Sequence, residues 1–219
     1  MTVAIDGPGG AGKSTIAAAL AARLGLERLD SGAMYRALAL AAIRRGVGLS
    51  DGDSLGELAV AIRLRVSGSV VELDGEDVSA AIRTPAVTRV ASLVAAYPAV
   101  RVELVARQRA WVAERRGGVV EGRDIGSAVC PEAELKVYLT AEVAERARRR
   151  TAEMGPGSGT QTVAAELAKR DIHDSTRLDS PLEVVPGAVV IDTTNRTVPE
   201  LVEEIVGLLA DVVGGGCAG

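Results

Sequence analysis

Gly7-Pro8-Gly9-Gly10-Ala11-Gly12-Lys13-Ser14-Thr15 decides how this chain is read. Gly7 to Ser14 satisfies G-x(4)-G-K-[ST], the spacing of a loop that cradles nucleotide phosphates. The chain holds only 3 lysines in 219 residues, so roughly 0.004 chance matches are expected in a sequence of this length. The flanks agree with the motif. Thr2 to Asp6 reads as a short apolar strand, and Ile16, Leu20 and Leu24 recur every four residues along a helix that opens at Lys13 and ends at Gly25. Glycines let backbone N–H groups curl around an anion with no Cβ in the way, and the helix N-terminus adds the positive end of its dipole. Gly7, Pro8, Gly9, Gly10, Ala11, Gly12, Lys13, Ser14 and Thr15 are therefore expected to bind a nucleoside triphosphate. Lys13 would reach the β- and γ-phosphates, and the Ser14 hydroxyl would ligate Mg²⁺. The motif is silent on what is done with the nucleotide.

Outward from the loop, a second helix runs over residues 31–45 and stops at Gly46, and residues 54–62 read as a short helix with Ser54 as its cap. The period changes at Arg63. Leu64 and Val66, the turn Ser67-Gly68-Ser69, then Val71 and Leu73 alternate as a hairpin, and Asp74-Gly75 adds another turn. This is a small β-rich insertion that closes near Arg83. Prolines open helices over 85–96 and 98–116. Strands are expected at 118–121, 135–139 and 188–192, and helices at 142–154, 163–174 and 198–213. Residues 155–159, Gly-Pro-Gly-Ser-Gly, are the least regular internal stretch, and 214–219 are expected to be disordered. Strands spaced by helices give an α/β fold with a five-stranded, mostly parallel sheet covered on both faces.

Composition narrows the function. A hydrophobic fraction of 47% in 219 residues suits one domain, residues 1–219, whose core needs no disulfide or metal. A net charge of −4 argues against a protein that coats nucleic acid, and three tyrosines, Trp111 and no Phe leave little platform for stacking bases. Cys130, Cys217 and the lone His173 make no zinc spacing. Met1 to Ile5 runs straight into the glycine loop, and charges break every apolar run, so neither a signal peptide nor a spanning helix is expected. The expectation is a cytoplasmic monomer with no nucleic acid or membrane partner. The cations are 22 arginines against 3 lysines, through codon usage or because arginine grips phosphate bidentately.

Three further segments lie downstream: Asp30-Ser31-Gly32-Ala33-Met34-Tyr35-Arg36, Glu121-Gly122-Arg123-Asp124-Ile125-Gly126, and Lys169-Arg170-Asp171-Ile172-His173-Asp174-Ser175-Thr176-Arg177. With the glycine loop, and in this order, they resemble the bacterial cytidylate kinases, a family of nucleoside monophosphate kinases, over residues 3–206. The resemblance implies a P-loop NTPase core with two appendages, a monophosphate-binding insertion at 63–91 and a short lid at 153–162. It implies transfer of the γ-phosphate of ATP to CMP and dCMP, with Mg²⁺, in pyrimidine nucleotide metabolism. The matching positions make Ser31, Tyr35, Arg36, Ser92, Arg101, Arg123, Asp124, Arg170, Asp174 and Arg177 the CMP-binding residues. Arg36 and Arg123 would hold the acceptor phosphate, Asp124 would face cytosine, and Ser92 and Arg101 would bond the base. Arg170 and Asp174 would hold the ribose hydroxyls, with Arg177 adding to the base site.

The residues by themselves leave alternatives open. Arg36 follows Ser31 by five residues, so both can face one pocket, or Arg36 can be a solvated surface arginine. Arg123 and Asp124 follow a strand's carboxyl end, where open α/β sheets place ligands, or they form a pair that caps the loop. Arg170, Asp174 and Arg177 at i, i+4 and i+7 share one helical face, as an ordinary surface ion pair also would. Arg146, Arg149 and Arg150 either clamp the transferring phosphoryl group as catalytic cations beside Lys13 and Arg123, or are neutralised by Glu142, Glu145 and Glu153. No general base is expected, because a phosphomonoester with a second pKa of about 6 is already ionised. A kinase of another small acceptor and an ATP-dependent switch that phosphorylates nothing are the wider alternatives.

Overall fold

Val3, Ala4 and Ile5 are all fully buried, which is why their strand carries no polar alternation: it lies inside a parallel sheet covered on both faces. The computed structural model describes residues 1–154 and 159–215. In chain order the elements are β1 (Thr2–Asp6), α1 (Lys13–Leu24), β2 (Arg28–Asp30), α2 (Ser31–Arg45), α3 (Gly52–Ala61), β3 (Leu64–Ser67), β4 (Val70–Leu73) and β5 (Glu76–Asp77). A 3-10 turn at Ala81–Arg83 precedes α4 (Pro85–Val94), α5 (Pro98–Arg115) and β6 (Gly118–Glu121), and a π-helical turn at Ile125–Val129 precedes β7 (Leu135–Thr140). α6 (Val143–Met154), α7 (Thr160–Ser175), β8 (Val189–Asp192) and α8 (Val198–Gly215) complete the chain.

The main sheet has the order β2-β6-β1-β7-β8. β1 pairs in parallel with β6, Thr2 opposite Gly118 through Ile5 opposite Glu121, and with β7, Val3 opposite Leu135 through Asp6 opposite Tyr138. β7 continues in parallel onto β8. The five strands match the expected count. The fifth, β2, has no assignment in the sequence reading, because three residues are too few to show a period.

The chain divides into two compact units, Met1–Glu27 with Arg116–Gly219, and Arg28–Arg115. In the first, Ile16 and Leu20 of α1 and Leu201, Val202, Ile205 and Leu209 of α8 close on the sheet residues Val3, Ile5, Val119, Leu135, Val137, Leu139 and Ile191. The parallel strands end together, so Asp6, Glu121 and Thr140 lead into the loops on one edge of the sheet, where ligands of such folds bind.

In the second unit, β3 and β4 pair antiparallel from Leu64 opposite Leu73 to Ser67 opposite Val70, and β5 adds a short third strand. That is the β-rich segment expected between helices. The cap of α3 differs from expectation. Asp51, not Ser54, caps a helix that begins at Gly52, and the Asp51 carboxylate accepts from the Ser54 N–H at 3.1 Å. Asp and Ser cap about equally well, so the difference is one of position, and Ser54 becomes the partner of Asp51 through a 2.6 Å hydroxyl bond. A Cβ on Gly52 would lie 2.6 Å from Cδ1 of Tyr97, which keeps this helix start close to the turn before α5.

α4 ends at Val94 and α5 at Arg115, each slightly short of expectation. α7 starts at Thr160, three residues earlier than the apolar pattern at Val163 indicates. Gly214 and Gly215 belong to α8 instead of a disordered tail, while 216–219 lie outside the described residues. Of the expected lid at 153–162, residues 155–158 also lie outside them; Glu153 ends α6 with Met154, and 160–162 open α7. Among the described residues no helix is long and apolar enough to cross a membrane.

Candidate active site

The glycine loop is shaped by what presses against it. Gly7 has φ 144°, and a Cβ there would fall 2.1 Å from the Leu139 carbonyl oxygen. Gly10, at φ 77°, would meet the Arg146 carbonyl oxygen at 2.8 Å. Both positions need a backbone that L side chains rarely adopt, in a space that a methyl group would fill. Strand β7 and helix α6 thus hold the loop in the curl that exposes its N–H groups.

Three cations meet the carbonyls of this loop. Lys13 donates from Nζ to the Gly7 oxygen at 2.7 Å and to the Pro8 oxygen at 2.8 Å. Arg123 donates from Nη1 to the Gly7 oxygen at 2.9 Å, and Arg146 from Nη1 to the Gly9 oxygen at 3.0 Å. Lys13 is 8% exposed. Burial first, then the Arg123 and Arg170 guanidinium groups, holds its ammonium well below the usual lysine range, against the pull of Glu121 and Asp6. Its bonds go to neutral carbonyls, so an incoming anion would supply the charge that favours the ammonium.

Helix α7 supplies the counter-charges. Asp174 accepts from Arg123 Nε at 2.9 Å, and Asp171 accepts from Arg146 Nη1 while its other oxygen takes the Gly9 N–H at 3.2 Å. Burial works against the Asp174 carboxylate, but Arg123, Arg170 and Arg177 hold it below the usual range. Arg170 lies 3.8 Å from Asp174, farther than Arg123 does. Arg177 does not share the helical face as expected: α7 ends at Ser175, and Arg177 instead folds back, its Nε donating to the Asp174 carbonyl at 3.2 Å.

The three arginines of α6 separate. Arg146 is buried on the loop. Arg149 donates to Glu145 at 2.7 Å and to the hydroxyl and carbonyl of Thr193 at 2.9 and 2.8 Å, and that hydroxyl donates onward to the Ala11 oxygen at 3.1 Å. Arg150 meets Glu153 at 2.9 Å. Among the described residues, glutamate neutralisation is therefore real for Arg150 and partial for Arg149, while Arg146 pairs with an aspartate instead. Arg148, which carries no expectation, also pairs with Glu145.

Behind the loop, Asp6 is 6% exposed and accepts the N–H groups of Ile125 and Gly126 at 2.8 Å each, one on each oxygen. Burial raises its carboxyl to about 6, against those two bonds. The clamp fixes the π-helical turn that follows Arg123 and Asp124, and such turns recur at functional sites. Asp124 is 5% exposed and its carbonyl accepts from Ala128 at 2.8 Å.

Ser14 donates from Oγ to Glu121 Oε2 at 2.8 Å. A hydroxyl beside a carboxylate is the hard-oxygen pair that suits Mg²⁺, which binds through one or two protein oxygens and otherwise keeps water or phosphate. The residues fit the ion, and Ser14 with Glu121 would hold it. It would neutralise charge on the transferred phosphates.

The second unit holds the remaining predicted residues. Asp30 caps α2, accepting from the Ala33 N–H at 2.9 Å, and its other oxygen takes Arg36 Nη2 at 2.7 Å. Ser31 and Tyr35 are buried on α2. Arg101, 2% exposed on α5, donates from Nη1 to the Tyr35 hydroxyl at 3.4 Å. Ser92 is half-buried on α4. The structure thus joins Tyr35 to Arg101 in one unit and Arg123, Arg170, Asp174 and Arg177 to the loop in the other. Asp6, Asp30, Glu121, Asp171 and Thr193 carry no expectation from sequence. Three of them stand inside quoted motifs, which was the available signal.

Known proteins are similar to this chain in sequence. The family described as cytidylate kinase matches residues 3–211. A cytidylate kinase of Solibacter usitatus is 46% identical over 99% of this chain and 95% of its own length. A bifunctional pantoate ligase/cytidylate kinase of Synechococcus sp. is 47% identical over 93% of this chain, which spans 39% of that longer protein. Among solved structures, a gluconokinase from Sinorhizobium meliloti covers 98% of this chain and 94% of its own at TM-score 0.53 and 15% identity, a likeness of fold alone. A family match over residues 3–211 means that this chain belongs to the cytidylate kinase family.

Proposed function

We propose that the protein transfers the γ-phosphate of ATP to CMP and dCMP with Mg²⁺, as a cytoplasmic monomer without nucleic acid or membrane partners. One observation carries the reading: Lys13, Arg123 and Arg146 all rest on carbonyls of the same loop, so three cations surround the place where phosphates bind. Phosphoryl transfer asks for little else. The attacking phosphate oxygen is already ionised, and catalysis consists of alignment, charge neutralisation and exclusion of water.

In this reading residues 7–15 bind ATP, with Lys13, Arg123, Arg146 and Arg149 around the transferred group. Arg150, held by Glu153, has the weakest geometric support as a catalytic cation. The acceptor residues are Ser31, Tyr35, Arg36, Ser92 and Arg101 with Arg123, Asp124, Arg170, Asp174 and Arg177. The segments 63–91 and 153–162 serve as monophosphate-binding insertion and lid within one kinase domain. The carboxylate of Asp124 selects cytosine, because it can only accept hydrogen bonds and cytosine offers an amino group where uracil offers a carbonyl.

The test is ADP release with CMP, dCMP, UMP, AMP, GMP and shikimate in parallel. CMP and dCMP should exceed all others. Release driven best by shikimate or a purine monophosphate would replace the acceptor, and slow release indifferent to every acceptor would replace the kinase with an ATP-dependent switch.

A further inference from the structure

Asp30 stands at the end of β2 and the start of α2, and its two oxygens do different work. Oδ1 accepts the Ala33 N–H at 2.9 Å, an ordinary N-cap. Oδ2 takes Arg36 Nη2 at 2.7 Å, with side-chain exposures of 9% for Asp30 and 16% for Arg36. An Asn or Ser would cap this helix as well as Asp does, so capping alone does not call for a carboxylate. The carboxylate is matched to the arginine.

The arginine is left with donors to spare. Arg36 Nε is buried and has no hydrogen-bond partner, a state that is unfavourable unless a ligand relieves it. Crowding at Gly32 shows how closely the two side chains are seated: a Cβ there would fall 3.2 Å from both Asp30 Oδ1 and Arg36 Nη1. Arg28 and Arg83 add positive charge around Asp30, and with Arg36 and the Ala33 N–H they keep its carboxyl below the usual range despite full burial. One carboxylate thus faces three guanidinium charges, which leaves the neighbourhood positive.

We propose that Asp30 is the positioning residue of the acceptor phosphate, holding Arg36 by Nη2 so that its remaining N–H edge is presented to the monophosphate. This rests on the reading above in which Arg36 binds that phosphate. The buried ion pair fixes the rotamer of a long side chain before the ligand arrives, which lowers the ordering cost of binding. Asp30 itself touches no substrate.

Asp30→Asn and Asp30→Ser keep the cap and remove the charge, so each separates positioning from folding. The expected result is a rise of at least tenfold in KM for CMP, with KM for ATP within twofold and an unchanged circular dichroism spectrum at the assay temperature. In an Arg36→Met background, which itself raises KM for CMP, either change at Asp30 should add less than twofold. The proposal is overturned if Asp30→Asn and Asp30→Ser leave KM for CMP within twofold, or raise KM for CMP and ATP together. It is also overturned if the change at Asp30 multiplies fully onto Arg36→Met, because Asp30 then acts through something else. If Arg36→Met alone leaves KM for CMP unchanged while the acceptor panel still favours CMP, the role of Arg36 falls and this proposal falls with it, but the kinase reading stands.

Discussion

The two units each pair arginine with buried aspartate, and they do so to different ends. In the first, Arg123 and Arg146 each tie a carboxylate of α7 to a carbonyl of the glycine loop, so each arginine is anchored from two sides. In the second, Arg36 has Asp30 at one end and a buried Nε with no partner at the other. An arginine anchored at both ends is a strap that shapes the loop while lending it charge. A half-used arginine is an oriented donor. The contrast predicts that losing an aspartate of the first kind reaches ATP as well as CMP, and that losing one of the second reaches CMP alone.

The largest expected effect follows from breaking a strap. Asp174→Ala leaves the guanidinium of Arg123 part-buried without its ion-pair partner, and removing one member of such a pair costs about 3 kcal/mol. Urea unfolding should show that loss, and KM for ATP should rise along with KM for CMP, because Arg123 also holds the Gly7 carbonyl. A rise for CMP alone at full stability would place Asp174 with Asp30 and erase the distinction.

Lys13→Ala should lower kcat by at least about 10²-fold, the cost of one preorganised charge-stabilising donor. The circular dichroism spectrum should not change, since the lysine bonds to loop carbonyls and ties no helix or strand of the core together. Turnover near that of the parent protein would show that the three cations of the loop are interchangeable.

Smaller still is the effect on base choice. Asp124→Asn should narrow the CMP/UMP ratio of kcat/KM by at least about tenfold, or 1.4 kcal/mol, mainly through a poorer CMP reaction. The ratio cancels any common loss from a displaced Arg123. A parallel fall with a fixed ratio would make Asp124 a support of Arg123, one more strap.

The smallest effect belongs to Arg150. Its pair with Glu153 is exposed on the glutamate side, and such pairs are worth about 0–1 kcal/mol. Arg150→Ala should leave kcat within about threefold, while Arg146→Ala, which removes a bond to the loop itself, should not. Equal losses would restore the three-arginine clamp expected from sequence.

The parts of this design that repeat locally were legible beforehand. The glycine loop, the helix ends at Gly25 and Gly46, both at φ 65°, and the hairpin at Leu64–Ser67 and Val70–Leu73 each announce themselves within a few residues. Strand β2 did not, being three residues long, nor did the π-helical turn at Ile125–Val129, which has no sequence period of its own. The straps were illegible for another reason. Asp171 meets Gly9 across 162 residues and Thr193 meets Ala11 across 182, and no local pattern encodes such a meeting. Motif spacing picks out the arginines, while which carboxylate each takes depends on packing.

The most direct test follows the label of [γ-³²P]ATP in the presence and absence of CMP with Mg²⁺. The expected result is label in CDP when CMP is present, little inorganic phosphate without it, and loss of CDP labelling in Lys13→Ala. Label that appears chiefly as inorganic phosphate, at a rate indifferent to CMP, would contradict phosphoryl transfer to a nucleoside monophosphate.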